Sequence, residues 1–399
     1  MTDKKQTIPQ TKMKLLFVCQ YYYPERIGLT NICEELVKRG NDVTALTGLP
    51  NYPKGYVPKE YKFFKKRKET INGVKIIRSF EIGRRKGKIM LCINYISFYL
   101  SSLLKVRKLD KDFDKVICYQ HSPITMASAA MKYAKKRKKE FILYCFDLWP
   151  ESLKTYNIKE NNIIFKIVKK LSNRIYSNCD KIIVSSKPFI KYFTEYHNIN
   201  KKKIYYLPQF SYDYGKKIEN KKTDDKIHLL YAGNIGKVQN IECIIEAIKI
   251  LETDKKFVID IVGYGSNFNK LEKMIKEYKL NDKIILHGEK NNEELQEFYN
   301  IADALLLTLT ENSFISKTLP LKLQSYMTTE KPILASINGA AQALIKEYKC
   351  GVCVKANDYI NYSKTIKDFL DGKIKIKYKK EKRFLLENNV DDLLEIINR

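Results

Sequence analysis

The stretch ADALLLTLTENSFISKTLPLKLQSYMTTEKPILAS, residues 302–336, decides the fold. Ala304 to Leu309 and Pro332 to Ala335 are short apolar runs, each the length of a buried strand. Between them lie a polar loop and a helical pattern near residues 319–329. Strand, loop, helix, strand is a βαβ unit and requires a parallel sheet. The loop leaves a strand at its carboxyl end, the side on which open α/β sheets bind ligands. Pro320 fits a first helical turn, and Lys317 and Lys322 flank that start. Free N–H groups together with cationic side chains suit a phosphate; a solvated lysine pair is the plainer alternative.

The same alternation runs outward in both directions. In the first half KLLFVC (14–19), DVTALT (42–47), DKVICYQ (114–120), FILYC (141–145) and KIIVSS (181–186) read as strands, with helical patterns near 27–39 and 124–138. The polar stretch SYDYGKKIENKKTDD follows as a linker. A second series then holds IHLLYAG (227–233), FVIDIVG (257–263), KIILHG (283–288) and GVCV (351–354). The pattern predicts two doubly wound, Rossmann-like α/β domains over 13–210 and 227–380, facing a cleft. A polar extension (1–12), a linker (211–226) and a C-terminal helical segment (381–399) that packs back on the first domain complete the chain.

A length of 399 residues fits two such domains. Nine cysteines, mostly inside apolar runs, and a polar start without a secretory signal point to a reducing cytoplasm. One CxxC (350–353) without a second pair, and four scattered histidines, predict no metal site. The formal charge of +29 is uneven. Residues 1–210 carry 43 basic and 17 acidic side chains, against 31 and 28 in the remainder. Nucleic acid, anionic lipid or a phosphorylated substrate would each explain a basic first half.

Several strand ends carry candidate chemistry. YAGNIGKVQ (231–239) and VGYGSNFNK (262–270) place Gly233, Lys237 and Gly263 in strand-to-helix turns, where glycines let amides approach an anion. CQYYYPERIG (19–28) puts Gly28 at a helix start. YQHSP (119–123) and YCFDLWPES (144–152) set His121 and Asp147 at strand ends. An imidazole and a carboxylate there serve acid–base work or hold sugar hydroxyls; a hydrogen-bonded loop His and a helix-capping Asp are the structural alternatives.

Taken in order, YYYPERIG, LTGLPNYPKG, HSPITMASAA, DLWPES, YAGNIGKVQN, VGYGSNFNKLEKM, ADALLLTL and SKTLPLKLQSYMTTEKPILAS make the chain from about Lys12 resemble the retaining glycosyltransferases of family 4. The resemblance is to the GT-B fold, and to a subgroup that transfers amino sugars in surface-polysaccharide assembly. It implies a donor domain in the second half and an acceptor- and membrane-facing domain in the first. Gly28 matches the glycine loop near the donor phosphate, with Leu29 where many relatives have a second glycine. Asn234 and Gln239 stand where the broad family has Arg and Lys, and Lys237 takes over the charge. Lys317 and Ser325 stand where it has a Glu-x7-Glu pair, so Glu311 is not equated with the missing glutamate. Lys317, Thr318, Leu319 and Lys322 are then expected at the donor diphosphate, with Gly233, Asn234 and Gly263 beside them. Asp147 and His121 support the reaction.

The resemblance implies a metal-independent transferase with no cofactor, using a UDP-sugar as co-substrate and a lipid-linked or glycan acceptor. The absence of a DxD-type acidic pair in a suitable loop agrees with this. Lys65, Lys66, Arg67, Arg84 and Arg85 are assigned to membrane or acceptor contact. IMLCINYISFYLSSLL (89–104), with basic flanks, is either an amphipathic helix on the anionic inner face of the cell membrane or an ordinary core helix. Two rivals remain. A basic nucleic-acid-binding protein lacks any matching motif here, and a UDP-sugar epimerase would use the same scaffold.

Overall fold

The structure is a computed structural model that describes residues 12–25, 27–110, 112–216, 224–311 and 315–399. Residues 1–11 of the expected extension and 217–223 of the expected linker lie outside them. The chain divides into two compact units. The first holds the described residues up to Leu207 together with Val390–Arg399, and the second is Pro208–Asn389.

The first unit contains strands β1 (Lys14–Val18), β2 (Asp42–Thr47), β3 (Lys68–Ile71), β4 (Val74–Arg78), β5 (Lys115–Gln120), β6 (Glu140–Cys145), β7 (Lys181–Val184) and β8 (Ile204–Tyr206). Their order in one sheet is β3-β4-β2-β1-β5-β6-β7-β8. All pairings are parallel except β3 with β4, a hairpin turned at Asn72–Gly73. That hairpin was not foreseen, because its strands are half exposed and lack an apolar run. Helices α1 (Gly28–Lys38), α2 (Lys88–Lys105), α3 (Ala127–Arg137), α4 (Ile163–Ser177) and the short α5 (Pro188–Lys191) accompany the sheet. Chain order reverses between β1 and β5, so the segments leaving β1, β5 and β6 meet at the switch point of a doubly wound sheet.

Helix α2 is packed the opposite way to an ordinary amphipathic helix. Its buried stripe is Asn94, Phe98 and Ser102, while Ile89, Ile93, Ile96, Leu100 and Leu104 are exposed. Asn94 explains the inversion. Its Nδ2 donates to Glu81 Oε1 at 2.6 Å and to the Ile82 carbonyl at 2.7 Å, and its Oδ1 accepts from Gln20 Nε2 at 2.9 Å. A buried acid that needs donors draws the polar stripe inward. Among the described residues one stretch, Lys88–Lys108, is long and apolar enough to cross a membrane by length and composition, with 21 residues and a mean hydropathy of 1.5.

The second unit contains β9 (Ile227–Ala232), β10 (Phe257–Val262), β11 (Ile284–Gly288), β12 (Ala304–Thr308), β13 (Ile333–Ser336) and β14 (Gly351–Val354). The order is β11-β10-β9-β12-β13-β14, all parallel. Helices α6 (Glu242–Lys249), α7 (Phe268–Glu277) and α11 (Tyr359–Leu370) share one apolar core with the sheet. Helices α8 (Asn292–Ile301), α9 (Leu321–Met327) and α10 (Ala340–Tyr348) share a second. Helix α12 (Leu386–Asn398) closes the chain and passes into the first unit at Val390. The reversal falls between β9 and β12, so the loops after β9, β10 and β12 mark this unit's binding edge.

Candidate active site

In the second unit the site is built around one tyrosine and one lysine. Tyr326 on α9 is fully buried; its hydroxyl accepts from the Ala232 amide at 3.0 Å and donates to the Leu306 carbonyl at 3.1 Å. This clamps α9 onto β9 and β12. Lys322 is four residues earlier and so shares that face. Its amine donates to the Tyr231 hydroxyl and lies 3.8 Å from the Tyr231 ring centroid. The residue as a whole retains partial exposure, yet burial of the amine pushes its pKa down to about 7.

The two strand-end glycines explain why this corner is open. Gly233 and Gly263 both have φ +144°, a conformation that L side chains rarely adopt. A Cβ on Gly233 would stand 3.0 Å from Lys322 Cε, and one on Gly263 would stand 1.9 Å from the Gly233 carbonyl. The turn after Gly233 is held by its own side chains. Gln239 Oε1 accepts from the Gly236 amide at 3.2 Å and from Asn234 Nδ2 at 3.3 Å. Lys237 is exposed at the start of the single turn Lys237–Gln239. That turn is fixed to β12 by Thr308 Oγ1, which donates to the Gln239 carbonyl at 2.6 Å.

In the first unit the segments after β1, β2, β4, β5 and β6, together with α2, line a pocket of about 350 Å³. His121, Asp147 and Arg84 line it, with Tyr21, Tyr52, Tyr95 and Tyr156. Asp147 accepts hydrogen bonds from Ser122 Oγ and Ser152 Oγ. Burial nevertheless raises its carboxyl pKa, with the two hydroxyls opposing the shift. His121 stacks on Phe146 at 4.8 Å between ring centroids, and burial lowers its pKa to about 4. It is therefore a neutral imidazole at pH 7, able to accept or donate one proton-sharing bond. An aromatic wall with a few convergent polar groups suits a ring-shaped, hydroxyl-bearing ligand.

The sequence matches the family description "Glycosyltransferase Family 4" over residues 27–210 and "Glycosyl transferases group 1" over residues 215–388. The second stretch contains every strand of the second sheet, and the first contains every strand of the first sheet except β1. The chain is a glycosyltransferase of the GT-B superfamily. It is 26% identical over 367 residues to an uncharacterized glycosyltransferase of Methanocaldococcus jannaschii, MJ1069, covering 87% of this chain and 86% of that one. It is 22% identical over 350 residues to the alpha-monoglucosyldiacylglycerol synthase of Acholeplasma laidlawii, covering 83% and 81%. The crystal structure of Anabaena Alr3699/HepE, solved in complex with UDP, has the same fold, with a TM-score of 0.64 at 12% identity and 97% of both chains covered.

Within this glycosyltransferase the expected residues fall into two groups. Gly233, Asn234, Lys237, Gly263 and Lys322 gather at the ends of β9 and β10 and the start of α9. Thr318 and Leu319 precede α9, and Lys317 ends the single turn Ile315–Lys317. The helix itself begins at Leu321 and has only 7 residues; its dipole is correspondingly small, so side-chain charge must do most of any anion binding. His121, Asp147 and Arg84 share the first unit's pocket, and Gly28 begins α1 directly after the pocket residue Ile27.

The basic set does not form one surface. Lys65, Lys66 and Arg85 are exposed, but Arg67 is partly buried against the Phe64 ring and Arg84 turns into the pocket. Glu311 is exposed and pairs at 3.9 Å with Lys355. Sequence reading missed Tyr231, whose signal was the i, i+4 spacing of Lys322 and Tyr326 that turns the lysine toward β9. It also missed Gly339, where a Cβ would stand 2.1 Å from the Ser316 carbonyl behind Lys317. The pocket tyrosines could not be grouped from the sequence, because they come from separate segments: Tyr21 after β1, Tyr52 after β2, Tyr95 on α2 and Tyr156 after β6. Among the described residues no group of three or more His, Cys, Asp or Glu side chains is placed to hold a metal ion.

Proposed function

We propose that this glycosyltransferase moves a sugar of the N-acetylhexosamine type from a UDP-sugar to a lipid-linked or glycan acceptor, with retention at the anomeric carbon, at the inner face of the cell membrane. The observation that carries the donor half of this reading is the Lys322 amine held beside Gly233, at the switch point of the second sheet. An amine with a pKa pushed down to about 7 is only part-charged at neutral pH and takes up more proton when a diphosphate arrives. Each charge-assisted contact of this kind contributes about 1.5–3 kcal/mol. Lys317 and Lys237 on neighbouring loops add charge where the leaving nucleotide diphosphate becomes more negative, which is transition-state stabilisation without a metal. HepE, which has the same fold, was solved with UDP bound.

The acceptor belongs in the pocket of the first unit. There Asp147 and the neutral His121 position an acceptor hydroxyl and share its proton, while tyrosine rings pack against sugar faces. No protein nucleophile is assigned; the leaving group departs from the face on which the hydroxyl attacks. The relative named for synthesis of a glucosyl diacylglycerol supports a lipid acceptor. The exposed apolar face of α2 and the basic first half support work at an anionic membrane surface.

Thermal-shift screening against a panel of nucleotide sugars tests the reading. UDP-sugars are expected to raise the melting temperature of the wild-type protein, and Lys322→Ala is expected to abolish that response. A response to none of the panel, or an unchanged response in Lys322→Ala, contradicts it.

A further inference from the structure

A second cavity of the first unit, about 440 Å³ in volume, lies between α2, α3 and α4. Its apolar wall is Tyr99 and Leu103 from α2, Met131 from α3 and Leu171 from α4. Its cations are Lys132, Lys135 and Lys136 from α3 and Arg174 from α4. No carboxylate lines it, and none of these four cations forms an ion pair among the described residues. The C-terminal dipole of α3 favours cations in its last turn, but it accounts neither for Arg174, which comes from a different helix, nor for the apolar wall beside them.

The groove opens next to the inverted face of α2. Leu103 lines the cavity, and Ile96, Leu100 and Leu104 on the same helix are 56%, 53% and 61% exposed. A continuous apolar stripe bordering a cationic hollow matches one chemistry: an anionic headgroup in the hollow, with hydrocarbon along the stripe. We infer that this groove binds the phosphate headgroup of a membrane lipid, one lipid per chain, with the acyl chains laid against α2. It is separate from the pocket that holds His121 and Asp147. The inference rests on the proposed membrane location, and gives it a discrete ligand in place of diffuse charge attraction.

The test compares three proteins of full length: wild type, Lys132→Gln/Lys136→Gln/Arg174→Gln, and Lys38→Gln/Lys201→Gln/Lys202→Gln. The third removes the same charge from exposed lysines outside the groove. Binding is measured by titration of dioctanoyl phosphatidic acid as a monomer, and by flotation with phosphatidylcholine vesicles containing phosphatidic acid. The groove variant is expected to bind at least about 10-fold more weakly, the control variant within about 3-fold of wild type, and the stoichiometry to be one. Leu103→Asn is expected to weaken the short-chain lipid as well.

Equal losses in the two charge variants overturn the inference in favour of diffuse electrostatics. Full displacement by millimolar inorganic phosphate overturns it in favour of a free-phosphate site. Binding of a short RNA with the same groove dependence overturns it in favour of nucleic acid. Should the triple groove variant fail to show a thermal transition, Lys135→Gln/Lys136→Gln replaces it in the same comparison. The UDP-sugar thermal response is recorded for every protein. Its loss in the wild type refutes the donor reading, whereas its retention with equal lipid losses refutes only the groove.

Discussion

At the residue scale, Lys322 is the side chain on which most depends. Its amine is buried at a cost, because desolvation disfavours the charged form. The folded-state pKa of about 7 lies below the ordinary lysine value of 10.5, so the unfolded chain binds more protons between those values. Stability therefore rises with pH across that window and the penalty is largest below it. Lys322→Met should gain about 1–2 kcal/mol at pH 7, a gain that fades toward pH 10, while losing the nucleotide response. Denaturant melts at both pH values check this. The Tyr231 hydroxyl keeps its bond to the Asn234 carbonyl at 2.9 Å in that variant, so no donor is orphaned. Binding has the opposite sign: UDP-sugar affinity should weaken as pH rises from 7 to 9, because the neutral amine must first take up a proton. Calorimetry in buffers of different ionisation enthalpy reads that uptake directly.

Asp147 gives a complementary prediction. Removal of a positioned acid–base group typically costs about 10²–10⁴ in rate. Asp147→Asn should lose transfer on that scale and keep the UDP-sugar thermal shift, because donor contacts lie in the other unit. Both residues were visible in the sequence, Asp147 as a strand-end carboxylate and Lys322 as a cation at a helix start. Their surroundings were not, since Ser122 reaches Asp147 from the neighbouring strand end and Tyr231 meets Lys322 only because α9 packs on β9.

At the scale of elements, the strand-to-helix turns were legible because a glycine, Gly233 or Gly263, directly follows an apolar run and precedes a helical pattern. Gly233→Ala tests one. With φ at +144° and a Cβ pressed on Lys322, the variant should lose about 1–3 kcal/mol and most nucleotide affinity, read by melting and titration together. Helix α2 was legible in length but not in orientation. Hydrophobic content alone places Ile96 and Leu100 inside; the structure places Asn94 inside because Glu81, fully buried with its pKa raised well above the usual carboxylate range by burial, needs its donors. Ile96→Gln/Leu100→Gln should therefore leave stability within about 0.5 kcal/mol of wild type while weakening vesicle binding. Asn94→Leu should cost about 2–4 kcal/mol by stranding polar partners in the core.

At the scale of the molecule, alternation of strand and helix sufficed for the two-unit α/β architecture, and the order of motifs for the superfamily. Edges escaped notice: β3 is half exposed and carries no apolar run, and β8 is only three residues long, too short to read as a strand. The charge imbalance was also readable, but not its distribution. Arg67 turns to local packing and Arg84 to a pocket, while Lys132, Lys136 and Arg174 converge elsewhere. Net charge constrains the class of partner, and only packing decides which cations meet it.

The central claim is that a nucleotide-sugar diphosphate binds at the strand ends of the second unit. Amide hydrogen exchange of the full chain, with and without saturating UDP-N-acetylglucosamine, tests it most directly. The account predicts protection concentrated at residues 231–239, 263–267 and 315–326, abolished by Lys322→Ala. Protection confined to the first unit, or none at a concentration that saturates binding, would contradict it.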